Sequence, residues 1–134
     1  MTALSFSVFL DKIIAGTKPN TIRQERKHPI KKGDALQLYW NQRSSSGFKI
    51  GDAICKEVTP IIIYPIAIRM LDLIFIIPES LNQFAKLDGF ENWEEMKLFF
   101  SRNYELPFEG VFIEWQNLEL STKAKLRMAT QNET

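Results

Sequence analysis

Apolar residues in this chain occur in short runs separated by turn residues, which is typical of a sheet built from closely spaced strands. Alternating or β-branched runs predict strands at residues 4–6, 21–23, 35–40, 53–58 and 110–118, with one or two more within residues 61–77. Glycine-aspartate pairs precede two of these runs, at Gly33-Asp34 and Gly51-Asp52, where they predict turns.

Helical spacing of apolar residues is found in three places. Near the start, an apolar stripe predicts a helix over residues 8–15 that ends at Gly16. A second helix is predicted at residues 78–85, because it begins with a proline at a favoured position. A third is predicted at residues 93–103, with Asn92 as its N-cap.

These elements favour an α+β fold, because the strands follow one another without crossover helices. We expect a small, mostly antiparallel β-barrel with flanking helices. The 134 residues suit a single domain, which we place at residues 1–120. The polar residues 121–134 are expected to form a disordered C-terminal tail.

Residues 61–77 are the one candidate for membrane insertion. Pro65, Arg69 and Asp72 interrupt this run, whereas a spanning helix needs about 20 predominantly apolar residues. Its many isoleucines predict buried strands instead. The start of the chain has neither the basic nor the apolar segment of a secretory signal, so we expect a cytoplasmic protein with no membrane partner.

Charge is distributed unevenly along the chain, although the formal net charge is only +1. Residues 1–56 hold ten Lys and Arg against four Asp and Glu, whereas residues 57–134 hold seven against twelve. The basic half is consistent with a surface that binds a polyanion, and equally with surface charge that is merely uneven.

Cysteine and histidine are too few for several classes of site. Cys55 is the only cysteine, which excludes an internal disulfide and a multi-cysteine zinc site. His28 is the only histidine and lies in a charged loop, which argues against a Ser-His-Asp triad, a catalytic thiol and a histidine-rich metal site. We therefore expect no metal and no other cofactor.

The densest chemistry lies between Gly16 and Arg23, where the sequence reads Gly-Thr-Lys-Pro-Asn-Thr-Ile-Arg. Lys18, Thr21 and Arg23 place an amine, a hydroxyl and a guanidinium at a helix-to-strand junction. Loops on rigid elements are where binding and catalytic groups concentrate. Nearby cations are either a solvated face or phosphate contacts, and an aromatic ring could stack on a base. The candidate ligand-binding residues are Arg23, Arg26, Lys31, Lys32, Tyr39 and Arg43.

Several short motifs follow one another in a particular order. They are Ala15-Gly16, Lys18, Thr21-Ile22-Arg23, Lys32-Gly33-Asp34, Gly51, Asp88-Gly89-Phe90 and Trp93-Glu94-Glu95-Met96. That order resembles the ASCH domain of the PUA-like superfamily and covers about residues 4–118. The segment at residues 43–51 is most similar to bacteriophage and prophage versions. The resemblance implies a small β-barrel with flanking helices, and a cleft that binds RNA or a modified nucleoside or nucleotide.

Some small bacterial members of that family hydrolyse N4-acylated cytidines with a lysine, a threonine and a carboxylate. The resemblance places Lys18 and Thr21 at the first two positions. The family carboxylate is a glutamate, which falls near residues 88–91 here. Asp88 is the closest acid and Glu91 is the next, so the catalytic set that the resemblance implies is Lys18, Thr21 and Asp88.

Two kinds of chemistry are open to these residues. In the first, burial and neighbouring cations disfavour the Lys18 ammonium, so that a neutral amine takes the proton of the Thr21 hydroxyl. The Asp88 carboxyl then protonates the leaving amine. In the second, Lys18 and Arg23 hold a phosphate and no reaction follows.

We therefore expect a domain that binds RNA, a modified nucleoside or a nucleotide. An amidohydrolase acting on N4-acylated cytidine is the alternative. A phage protein that binds a host protein is a third class. The sequence contains no indication of the oligomeric state.

Overall fold

The structure, a computed structural model, describes residues 2–132. Its elements in chain order are β1 (Thr2–Phe6), α1 (Leu10–Ala15), β2 (Asn20–Arg23), β3 (Ala35–Trp40), β4 (Phe48–Ile63), β5 (Ile68–Met70), β6 (Leu73–Phe75), α2 (Pro78–Leu87), α3 (Trp93–Asn103), β7 (Phe108–Leu120) and α4 (Thr122–Asn132). The predicted strand at residues 53–58 is part of the long β4. Helix α1 begins two residues later than predicted, because Phe9 has a left-handed backbone (φ 66°).

One mixed sheet contains the seven strands of the described residues. Strands β1, β3, β4, β5 and β6 lie in that order, and β7 pairs with both β2 and β4. Strand β1 runs parallel to β3, whereas the other pairings are antiparallel. The parallel pair is possible because α1 and β2 lie between the two strands in sequence and supply a long crossover connection.

The sheet curls into a half-barrel with helices around it. Register shifts between β3 and β4 and between β4 and β7 mark bulges, which bend the strands and increase their twist. The expected α+β class with flanking helices is confirmed. The sheet, however, is mixed, and it forms a half-barrel.

Two hydrophobic clusters form the core, and the long strands β4 and β7 contribute to both. The first cluster joins β1, α1, β3 and α4, with Leu4, Ile13 and Leu38 fully buried. The second joins β2, β5, α2 and α3, with Ile63 and Met96 fully buried. The region where the two clusters meet contains the site described below.

The buried residues of the apolar run at residues 61–77 all lie in its first half. Ile61, Ile63 and Ile68 are buried as predicted. The second half surrounds β6, whose only strand partner among residues 2–132 is β5. The residues of this exposed apolar edge, each 61% to 63% exposed, are Leu71, Leu73, Ile74, Ile76 and Ile77. The prediction of buried strands is wrong there, because an edge strand has a neighbour on one side only. None of the helices within residues 2–132 has the length and apolar character needed to cross a bilayer.

The prediction of a disordered tail at residues 121–134 is wrong over Thr122–Asn132, which form α4. Ala124 is fully buried and Met128 packs against the first cluster, so the helix docks through a narrow apolar stripe with a spacing of four residues. The Arg127 guanidinium also pairs with Asp11 at 2.7 Å. Because the apolar stripe is so narrow, most residues of the segment are polar. Its composition therefore resembles that of a disordered tail. The last two positions of the predicted tail, residues 133–134, lie outside the described residues.

Candidate functional site

The turn between α1 and β2 positions the first residues of the site. Gly16 ends α1 with a left-handed backbone (φ 82°), and the main-chain N–H of Lys18 donates to the carbonyl of Lys12. Pro19 then prevents another helical turn, and β2 follows along β7. Lys18 and Thr21 are both buried as a result, at 4% and 5% exposure.

Lys18, Thr21 and Asp88 line one cavity of about 270 Å³, which we call the site cavity. Its remaining polar lining residues include Arg23 and Asn103. Aromatic rings supply much of the apolar lining, from Phe6, Phe9, Phe90, Phe99, Phe100 and Tyr104. This volume lies near the lower end for ligand pockets and suits a group about the size of one base.

Lys18 and Asp88 form a buried ion pair at the inner wall of the site cavity. The Lys18 ammonium donates to the Asp88 carboxylate at 2.8 Å and to the Asp88 main-chain carbonyl at 2.6 Å. Each side chain is 5% exposed. Asp88 is held there because it caps α2, with its own N–H donating to the carbonyl of Phe84.

Burial shifts both members of this pair toward their neutral forms. It lowers the pKa of Lys18, and the nearby Asp88 carboxylate opposes that shift. Burial likewise raises the pKa of Asp88, against the attraction of Lys18. The free-energy difference between the neutral pair and the ion pair is therefore smaller in the protein than in water.

The Thr21 hydroxyl is held by the guanidinium of Arg23. Arg23 Nε donates to Thr21 Oγ1 at 3.0 Å, and Arg23 Nη2 donates to the main-chain carbonyl of Ser5 at 2.8 Å. The guanidinium also lies over the ring of Phe6, 4.7 Å from its centroid. Because a cationic donor stabilises negative charge on the oxygen it contacts, Arg23 favours Thr21 as a nucleophile or as an anion contact.

Phe9 and Gly89 form a close contact beside the ion pair. The Phe9 ring meets Phe90 edge-on at 5.0 Å, and the Lys18 ammonium lies 5.5 Å from the Phe9 centroid. Gly89 has φ 105°, and a Cβ there would lie 2.9 Å from the Phe9 ring and 3.1 Å from Lys18 Cδ. Sequence reasoning assigned Phe9 to the stripe of α1, and no local signal predicts its left-handed backbone.

The acid that lines the site cavity is Asp88 and not Glu91. The Glu91 side chain is 78% exposed and lies 3.9 Å from Lys12, outside the cavity lining. Lys12 also donates to the carbonyl of Gly89. Sequence reasoning missed Asn20, which is buried and donates through Nδ2 to the carbonyl of Leu87 at 3.2 Å. That bond fixes the end of α2 and so holds Asp88 in position.

Three of the predicted ligand-binding residues lie together around a second, open cavity of about 630 Å³. We call it the arginine cavity, since Arg23, Arg26 and Arg43 line it. Ser5 and Arg23 line both cavities, so the two are adjacent. Arg26 is anchored by donating to the carbonyl of Ala3 at 2.6 Å.

The structure does not bring Lys31, Lys32 and Tyr39 to either cavity. The Lys31 main-chain N–H donates to Asp34 in the turn before β3, and the exposed Lys32 ammonium lies 3.9 Å from Glu57. Tyr39 lies on β3, half-buried. The predicted ligand-binding set therefore divides into three arginines at the site and three residues away from it.

Cys55 has no place in either cavity. It is buried on β4, and burial raises the pKa of its thiol, which is therefore protonated at neutral pH. Within residues 2–132, no three His, Cys, Asp or Glu side chains are grouped so that they could share a metal ion.

Comparisons of the chain with protein-family models, with curated proteins and with solved structures found no match.

Proposed function

We propose that this protein is an ASCH-type domain of the PUA-like superfamily that binds RNA, a modified nucleoside or a nucleotide, with one base in the site cavity. The observation that carries the proposal is that Lys18, Thr21 and Asp88 line the same cavity. These residues lie on the α1–β2 junction and at the end of α2. The order of motifs implied the same three residues for the family site.

The lining of the site cavity suits a planar, polar ring. Aromatic side chains such as Phe9, Phe90 and Phe99 offer apolar faces against which a base can pack. Lys18, Asp88 and Asn103 offer donors and acceptors for its edge. A cavity of this composition fixes the orientation of a base by hydrogen bonds while burying its faces.

Hydrolysis of N4-acylated cytidine is the second candidate function. It is favoured by one specific observation, the buried Lys18–Asp88 pair whose pKa values both shift toward the neutral forms. In this scheme the neutral amine of Lys18 accepts the Thr21 proton as Thr21 Oγ1 bonds to the acyl carbon. The bond to N4 then breaks, and the Asp88 carboxyl protonates the leaving amine. Water subsequently hydrolyses the acyl-threonine and restores the hydroxyl.

Calorimetric titration of the protein with cytidine, N4-acetylcytidine and a single-stranded oligocytidylate tests binding. We expect saturable binding of at least one of the three. A Thr21→Val variant removes the hydroxyl at nearly constant volume and should weaken that binding. Thr17→Val is the matched control, because Thr17 is exposed and lies outside the site cavity.

Release of cytidine from N4-acetylcytidine, followed by chromatography, tests turnover in the same proteins. Turnover in the wild type and in Thr17→Val, with none in a folded Thr21→Val, supports the hydrolase. Binding without turnover leaves a binding domain. Neither binding nor turnover with any of the three ligands would refute the proposed function.

A further inference from the structure

The arginine cavity carries positive charge that no ion pair within the described residues neutralises. Among residues 2–132, none of the ion pairs involves Arg23, Arg26 or Arg43. Like charges that line one cavity repel one another, and the pKa of Arg23 is lowered first by burial and then by the charge of Arg26. An anion in the cavity would relieve that repulsion.

Two of these guanidiniums are anchored in a way that leaves donors available. Arg23 and Arg26 each donate one Nη2 group to a carbonyl of β1, at Ser5 and Ala3. A guanidinium carries five N–H donors, so both retain further donors after these contacts. The anchoring removes part of the side-chain freedom that a ligand would otherwise have to restrict. Arg43 lines the same cavity, together with Asn41 and Gln42.

We propose that the arginine cavity is a phosphate subsite, and that the ligand is a nucleoside that carries a phosphate on its ribose. This inference rests on the proposed function, since the base of the same ligand would occupy the site cavity. Arg23 connects the two parts, because it lines both cavities and its Nε donates to Thr21 Oγ1. Guanidinium groups match phosphate oxygens with paired hydrogen bonds.

The phosphate could be the monoester of a free nucleotide or the diester of an RNA strand. Both present the anionic oxygens that the three arginines would recognise. The openness of the arginine cavity, in contrast to the smaller site cavity, leaves room for a continuing strand. The experiment below distinguishes the two sources.

Affinities of the wild type for cytidine, cytidine 5′-monophosphate and a 5′-hydroxyl oligocytidylate provide the test. We expect the monophosphate to bind about tenfold or more tightly than cytidine, because hydrogen bonds to charged groups are stronger than those between neutral groups. Arg26→Gln and Arg43→Gln should each reduce that ratio several-fold.

Lys31→Gln and Lys32→Gln are the matched controls, since each removes one exposed positive charge outside both cavities. They should leave the ratio unchanged. An equal reduction in the lysine and arginine variants would overturn the subsite in favour of general electrostatic attraction. If the oligocytidylate binds more tightly than cytidine, and the arginine variants remove that difference, the diester is an accepted form of the phosphate. If only the monophosphate binds more tightly than cytidine, the accepted form is the monoester.

Equal affinity for cytidine, its monophosphate and the oligocytidylate would overturn the phosphate subsite and leave the proposed function standing. If neither these three ligands nor N4-acetylcytidine binds, the proposed function fails, and titration with inorganic pyrophosphate becomes the deciding measurement. Shifts of the Arg26 and Arg43 side-chain resonances would then support an anion site, and their absence would overturn it.

Discussion

Lys18 and Asp88 are 70 positions apart in the chain, yet they form an ion pair of 2.8 Å with both side chains 5% exposed. The pair joins the α1–β2 junction to the end of α2, and so connects elements of the two hydrophobic clusters. Removing two charges from water is costly, and their attraction offsets that penalty only in part. A pair of this kind fixes the geometry of the site and adds little to the net stability of the fold.

Single substitutions in this pair should be strongly destabilising. Lys18→Met or Asp88→Leu leaves the other charge buried without its partner, which typically costs about 3–5 kcal/mol. The double variant Lys18→Met/Asp88→Leu should recover most of that loss, because no charge remains buried. Urea unfolding of the four proteins measures the coupling. A double variant as unstable as the sum of the two single variants would contradict this interpretation.

Both acid and base should raise the stability of the wild type relative to the double variant Lys18→Met/Asp88→Leu. Asp88 has a folded pKa above 3.8, so the folded state binds the proton more tightly, and this contribution to stability is lost as pH rises through the folded pKa. Lys18 has a folded pKa below 10.5, so stability rises again as pH increases from that folded pKa toward 10.5. Relative to Lys18→Met/Asp88→Leu, the wild type should be least stable between these two ranges.

The measurement is the difference in unfolding free energy between the two proteins across the pH range in which both remain folded. Subtraction removes the titration of the other groups that the two proteins share. If the wild type is instead most stable relative to the double variant at intermediate pH, the attraction between the two charges outweighs the cost of their desolvation.

Much of the architecture could be predicted because it depends on local patterns. The helix over Trp93–Asn103 was predicted with the same bounds, and Asn92 accepts the N–H of Glu95 at 2.9 Å as an N-cap should. The parallel pairing of β1 with β3 could not be predicted in the same way. It depends on contacts between distant residues, and no local signal distinguishes it from an antiparallel alternative.

The site was predictable in its residue types more than in its geometry. Lys18 and Thr21 lie close together in sequence, and the order of motifs indicated Asp88 as the acid. The deciding contacts with Phe9, Gly89 and Asn20 are tertiary, so local patterns do not contain them. The two interpretations of the loop cations, as a solvated face or as phosphate contacts, reflect the same limit, since Arg26 lines a cavity and Lys31 does not.

Gly89 should tolerate a side chain poorly. In Gly89→Ala the added Cβ meets the Phe9 ring and Lys18 Cδ, and the backbone has φ 105°. Gly33→Ala is the matched control, because Gly33 also has a positive φ (90°) but nothing lies within 4 Å of an added Cβ. Left-handed strain alone costs about 1–2 kcal/mol, and overpacking adds about 1–3 kcal/mol.

Urea unfolding and ligand titration of the two alanine variants separate the effects. Gly89→Ala should be the less stable of the two and should also bind nucleoside more weakly, since Lys18 must shift. Gly33→Ala should bind like the wild type. Equal stability and equal affinity in both variants would show that the contact around Gly89 is loose.

The exposed apolar edge at β6 should make the protein self-associate at high concentration. Leu71 and Asp72 form a two-residue turn between Met70 and Leu73, so the backbone groups of Ile74 point away from β5. An edge strand with unpaired backbone groups and exposed aliphatic side chains is a template for pairing with another chain.

Sedimentation velocity from micromolar to millimolar concentration measures this association. Ile74→Lys places a charge at the centre of the edge and should raise the dissociation constant about tenfold or more. Ile66→Lys is the matched control, since Ile66 is 78% exposed but lies between β4 and β5, away from the free edge of β6. A wild type that remains monomeric throughout, or an equal effect of both lysines, would contradict association through β6.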